Sequence, residues 1–196
     1  MKYEKIKIYL NTEILSWTNN WIFGKSSDSL PKKKENQIPA LETIYGKYSN
    51  YILLCVSMHT DSEMMNYNDK KRHTDPKILS LLNTINLLRE KYQIDIKKKT
   101  SSICVIGHSR INMVRVSNRY GSRTLLYNKL KSRINAADAI HFVDAYDFKA
   151  DVFLTVDYRT IINIRDEIQK IVRKFINIRI YDPDECLSYL NSKFNV

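Results

Sequence analysis

Four places in this sequence set a carboxylate or an amide at the end of an apolar run, or on a helical pattern that follows one. Asn11-Thr12-Glu13 follows the run Ile6 to Leu10, and Glu63 lies six residues beyond Ser57, where the apolar run from Tyr51 to Val56 stops. Asp138 sits within Asn135-Ala136-Ala137-Asp138-Ala139-Ile140-His141, and Asp157 closes Leu154-Thr155-Val156-Asp157. In an open parallel sheet, ligands bind beyond the carboxyl ends of the strands, so these positions are expected to converge there. Carboxylates crowded together repel one another and raise each other's pKa unless a cation lies between them. The chemistry indicated is a metal held by oxygen ligands.

Read singly, the same residues have blander uses. An Asp in a helical pattern is often a capping or exposed acid, and an Asp at a strand end is often a turn former. Their neighbours mark Asp138 and Asp157 as site candidates, whereas Glu63 rests on spacing alone. His141 follows an acid, but a histidine inside a helix is more often a packed or hydrogen-bonded residue than a catalyst, so it stays outside the expected site. His59, His73 and His108 show no ligand spacing, and Cys55, Cys104 and Cys186 do not pair with them, which argues against zinc. Three cysteines, two of them in strand-like runs, read as buried free thiols in a reducing compartment, hence a cytoplasmic protein. With 4 Gly in the chain, there is no glycine-rich loop to cradle a nucleotide phosphate.

The elements that must position these residues follow from periodicity. Ile6 to Leu10, Tyr51 to Val56, Val152 to Leu154 and Asn177 to Tyr181 read as strands, the short apolar runs being typical of buried parallel strands. Helices are expected over Ala40 to Tyr48, Asp61 to about Asn66, Lys77 to Tyr92, Thr124 to Tyr146, Thr160 to Lys174, and Pro183 to Asn191 with Asp182 as its N-cap. The alternation predicts a three-layer α/β/α fold with a central, mostly parallel sheet. Two stretches fall outside it. Thr18 to Gln37, with Ser26-Ser27-Asp28 and Lys32-Lys33-Lys34, reads as a loop insertion, and Ser101 to Ser117 reads as an inserted β-hairpin within a basic insertion over 93–123. Trp17 and Trp21 read as an apolar helix edge or contact surface, and a homodimer is one use for such a patch.

At 196 residues the chain suits a single domain, and 43% hydrophobic with 27% charged residues is the balance of a folded soluble protein. No apolar run approaches the length of about 20 residues that crosses a bilayer, and the N-terminal residues read as neither signal peptide nor anchor. The formal net charge is +11 and it is unevenly spread: from Lys91 to Arg133 there are eleven Lys and Arg against one acid, Asp95. A localised basic surface attracts polyanions through counterion release, which makes nucleic acid the first partner to consider.

In order, type and context the four places resemble the PIN domain family. Ile8-Tyr9-Leu10-Asn11-Thr12-Glu13-Ile14-Leu15 looks like the family's opening strand, and Ser57 followed by Glu63 is similar to its second acidic element. The most specific match is Ala137 to Ile161, where Asp-Ala-Ile-His opens a helix and Asp151-Val152-Phe153-Leu154-Thr155-Val156-Asp157 supplies the next strand and acid. The tail Ile178 to Glu185 looks like the family's last strand and helix, and about two thirds of the chain is covered. The resemblance implies a metal-dependent endoribonuclease, such as the toxin of a toxin–antitoxin pair. Asp138, Asp157 and Glu63, helped by Asn11 or Glu13, would hold Mg²⁺ or Mn²⁺, lowering the pKa of a water for attack on an RNA phosphodiester while Thr155 orients that water or a carboxylate.

Lys97, Lys98, Lys99, Arg110, Arg115, Arg119 and Arg123 would grip the phosphates, with Tyr120 and Tyr127 offered to unpaired bases. One departure stands out: Asn11 occupies the place of the family's first Asp, and Glu13 a place usually held by Asn or Ser. Three readings remain open. Glu13 supplies the missing carboxylate, or catalysis has been lost, or an Asp was replaced to disable a toxic nuclease. Two other classes of function stand beside the enzyme: a catalytically silent PIN-like module that binds RNA, and an interaction protein whose basic face is covered by an acidic antitoxin.

Overall fold

The structure, a computed structural model, describes residues 4–24, 37–57, 76–99 and 118–194. Five strands, β1 (Ile6–Leu10), β2 (Ile52–Ser57), β3 (Asp95–Lys99), β4 (Val152–Leu154) and β5 (Arg179–Tyr181), form one all-parallel sheet in the order β3-β2-β1-β4-β5. Around it lie α1 (Thr12–Trp17), α2 (Gln37–Lys47), α3 (Pro76–Tyr92), α4 (Asn118–Lys131), α5 (Ala136–Phe148), α6 (Arg165–Val172) and α7 (Pro183–Phe194). The fold is the expected three-layer α/β/α sandwich.

Strand alternation divides the apolar residues between two cores. Ile6, Ile8, Leu10, Ile52, Leu54, Val56, Val152 and Leu154 point to one face and pack under α1, α2, α3 and α7. Tyr9, Cys55, Phe153 and Ile180 point to the other and pack under α4, α5 and α6. Handedness accounts for the sorting. Parallel crossovers are right-handed, so the chain stepping from β1 to β2 to β3 lays its helices on one face, and the return to β4 and β5 lays them on the other.

Several elements differ from the sequence reading. Asp95-Ile96-Lys97-Lys98-Lys99 is an edge strand paired to β2, so the basic stretch begins inside the sheet. The single helix expected over Thr124 to Tyr146 is two, α4 and α5, because Asn135 takes an extended conformation and caps a new helix. Thr160 to Lys174 is shorter than expected: a turn, a 3₁₀ segment Ile162–Ile164, and then α6. The start of the expected loop, Thr18–Ile22, is a π-helical turn with Thr18, Asn19 and Ile22 buried, because the Thr18 hydroxyl donates to the Ile14 carbonyl at 2.8 Å and meets Tyr45 Oη at 3.0 Å. Trp17 is buried and meets Trp21 edge-on at 5.2 Å, so this pair belongs to the core. The expected hairpin at 101–117 and helix at 61–66 lie outside the described residues.

Among the described residues, no helix is long and apolar enough to cross a membrane.

Candidate functional site

The connections leaving β1 and β4 run to opposite sides, so the sheet has its switch point between these two strands, and a crevice is expected beyond their carboxyl ends. Asn11 ends β1 and caps α1, its Oδ1 accepting from the Thr12 N–H at 2.6 Å. Its Nδ2 donates to Thr155 Oγ1 at 3.0 Å, just past β4, and the Asp157 N–H donates to the same oxygen at 3.1 Å. Both Asn11 and Thr155 are buried.

Asp138 reaches the crevice from the first turn of α5. Asn135 holds it at both ends, its Oδ1 accepting from the Asp138 N–H at 2.8 Å and its Nδ2 donating to Asp138 Oδ2 at 2.7 Å. Asp157 is set by its own turn, where Oδ1 accepts from the Thr160 N–H at 2.9 Å. The turn-forming use of Asp157 is therefore real, whereas the cap of α5 is Asn135 and Asp138 is the acid of its first turn. The Thr160 hydroxyl lies within hydrogen-bonding range of Asp138 Oδ2, at 3.2 Å, and of Asp157 Oδ2. Two acids 19 positions apart in the chain thus meet at one hydroxyl.

That meeting point has an electrostatic consequence. A hydroxyl has one proton and donates to one carboxylate at a time. With both acids ionised, the second contact sets lone pairs against lone pairs. A cation near the two Oδ2 atoms would relieve it. The donors at hand, two carboxylates, are hard oxygens of the kind that Mg²⁺ and Mn²⁺ take. Among the described residues, however, no group of three or more His, Cys, Asp or Glu stands together as a metal site.

Behind the acids runs a second polar network. His141, 1% exposed, meets Tyr9 Oη through Nδ1 at 2.8 Å and Thr12 Oγ1 through Nε2 at 3.2 Å, and Tyr9 Oη meets Ser57 Oγ at 2.9 Å. The ends of β1 and β2 are thereby tied to α5 on the helix that carries Asp138. His141 is thus a buried histidine that bridges these elements.

The remaining candidates are placed as follows. Glu13 is exposed in the first turn of α1 rather than on a continuing strand, so strand periodicity does not aim it at Asn11. Glu63, Arg110 and Arg115 lie outside the described residues, as do the side chains of Lys99, Arg119 and Tyr120. Lys97 and Lys98 are exposed on the edge strand. Arg123 forms an ion pair with Asp147, both largely buried, which turns it inward as a tie between α4 and α5.

Sequence reasoning passed over Thr160 and Asn135. Both carry a local signal: Asn135 is three residues before Asp138, the N-cap spacing, and Thr160 is three after Asp157, where an Asx turn returns to the chain.

Fold and site together define an α/β protein with a carboxylate pair at the switch point of a parallel sheet. No family model matches the chain, and no curated protein matches it significantly.

Proposed function

We propose that the chain is a PIN-like, metal-dependent endoribonuclease. The observation that carries this reading is the meeting of Asp138 Oδ2 and Asp157 Oδ2 at the Thr160 hydroxyl beyond β4. Support also comes from the net charge of +11, which favours an anionic substrate. Asp138 and Asp157 would hold the ion, with Asn11 as a further candidate ligand. Once bound, a divalent ion offsets the charge of a phosphodiester and acidifies a water. The chain's own contribution is positional: Asn135 and the Asp157 turn fix the two carboxylates, and Thr155 joins Asn11 to that turn. A toxin's role, with an acidic antitoxin over the basic face, belongs to the same proposal.

Mn²⁺- or Mg²⁺-dependent cleavage of RNA is expected from the full chain, abolished in Asp138→Asn along with a weakening of Mn²⁺ binding measured by calorimetry. Cleavage that persists in Asp138→Asn and in EDTA overturns the assignment. One observation favours a second reading, a silent RNA-binding module. Both ends of the Asn11 amide are engaged in internal hydrogen bonds, as in a structural cap.

A further inference from the structure

A cleft of about 400 Å³ opens beside the carboxylate pair, between the α4–α5 turn and the segment after β4. Its wall includes Lys131, Ser132, Arg133 and Asn135 from the turn, and Arg159 and Thr160 from the segment. Asn135 and Thr160 are the same residues that hold Asp138 and bridge it to Asp157, so cleft and acids share a wall. Among the described residues, three cations line the cleft and no acid does. Arg133 meets Glu167 at 3.4 Å outside the wall, with both side chains more than half exposed, a geometry of small energetic worth. Lys131 lies 5.8 Å from the Tyr127 ring centroid, and neither it nor Arg159 makes an ion pair among the described residues.

We infer that this cleft is the phosphate-binding subsite for a phosphodiester next to the one that the carboxylate pair acts on. The inference rests on the nuclease reading for the role of the acids, and on the cleft itself for the ligand. A volume within the range of about 300–1,000 Å³ usual for ligand pockets admits a nucleotide unit. Cations without acids in the wall select an anion, and the shared wall selects one that continues toward the acids. A single strand of RNA carries such a row of phosphates. The grip on the substrate is thereby assigned to Lys131, Arg133 and Arg159; the first two close the basic stretch from Lys91 to Arg133, and none of the three is among the residues expected from sequence to grip the phosphates.

The test is binding of a fluorescein-labelled oligouridylate to the full chain in EDTA, read by anisotropy over a salt series. Substituting Lys131→Gln and Arg159→Gln together removes two exposed cations. It should weaken binding and reduce the slope of log K against log salt by about 1.4, at about 0.7 per phosphate contact on a single strand. Glu167→Gln should do the opposite, tightening binding as it releases Arg133. Thermal melts check that the variants are folded. An unchanged slope in the folded double variant overturns the inference, as does the absence of binding by the unsubstituted chain. The two readings fail separately. If the cleft variants lose slope while the chain cleaves nothing with Mn²⁺, the subsite stands and the nuclease falls. If the chain cleaves and the double variant binds with unaltered slope, the reverse holds.

Discussion

On the proposed nuclease reading, Asn11 is the residue on which activity would turn. Its amide caps α1 through Oδ1 and donates through Nδ2 to Thr155. An Asp here keeps the cap, since Asp and Asn rank together at that position. It loses the donor, but the Thr155 hydroxyl has a proton of its own to give back. Asn11→Asp is therefore expected to fold and to add a third carboxylate to the pair. Mn²⁺ affinity should rise about tenfold or more, equivalent to ~1.4 kcal/mol, as measured by calorimetry, with RNA cleavage rising in step. A variant that gains affinity but no cleavage favours the silent module, and one that gains neither places Asn11 beyond reach of the ion. At this scale the sequence was informative where local patterns repeat known chemistry. Asp138 and Asp157 were legible from the strand and helix around them. Thr160 was not, because its role depends on a turn bringing its hydroxyl between two acids, and hydroxyl placement leaves no periodic trace.

Elements were legible where burial is two-sided. Ile6 to Leu10 and Tyr51 to Val56 read as strands because both of their faces are covered, leaving near-continuous apolar runs. The edge strand Asp95–Lys99 was hidden for the opposite reason: among the described residues it pairs on one side only, its Lys97 and Lys98 are exposed, and charge in sequence reads as loop. The boundary between α4 and α5 was blurred by apolar spacing that continues across it, and only the Asn135 cap marks the break. Arg123 shows the cost of reading charge without geometry. Counted as part of a basic surface, it instead pairs with Asp147, the two side chains only 13% and 11% exposed. Removing one member of such a pair strands the other's charge. Arg123→Gln is expected to destabilise the fold by about 2 kcal/mol or more, seen as a lower urea midpoint, while the salt slope of RNA binding stays where it was. A lost slope with full stability would return Arg123 to the nucleic-acid surface.

Across the whole molecule, burial raises several groups so that they release protons only at high pH. Burial pushes the Cys55 thiol up to about 12, against the weaker opposing pull of Lys97 and Lys7. Cys186 and Tyr45 are likewise raised, chiefly by burial, and Tyr158 by burial and by its hydrogen bond to Asp182. In the unfolded chain, thiols and phenols ionise near their ordinary values of about 8.5 and about 10. Above about pH 8.5 the unfolded state therefore binds fewer protons than the folded one, and stability must fall as pH rises. The loss continues until the folded groups themselves ionise, near pH 12 for Cys55. Each group contributes at most about 1.4 kcal/mol per pH unit while it is protonated in one state and ionised in the other. An opposing effect exists, because lysines lose charge near pH 10.4 and relieve the repulsion of a +11 chain. It begins later than the thiol effect and falls partly on charges spread over the exposed surface, where salt already screens them. The urea midpoint is accordingly expected to decline between about pH 8.5 and about pH 10, and to decline less steeply in Cys55→Ala than in the unsubstituted chain. A midpoint that rises across this window would mean that surface repulsion outweighs the buried thiols, and that their protons do not govern the alkaline limit of the fold.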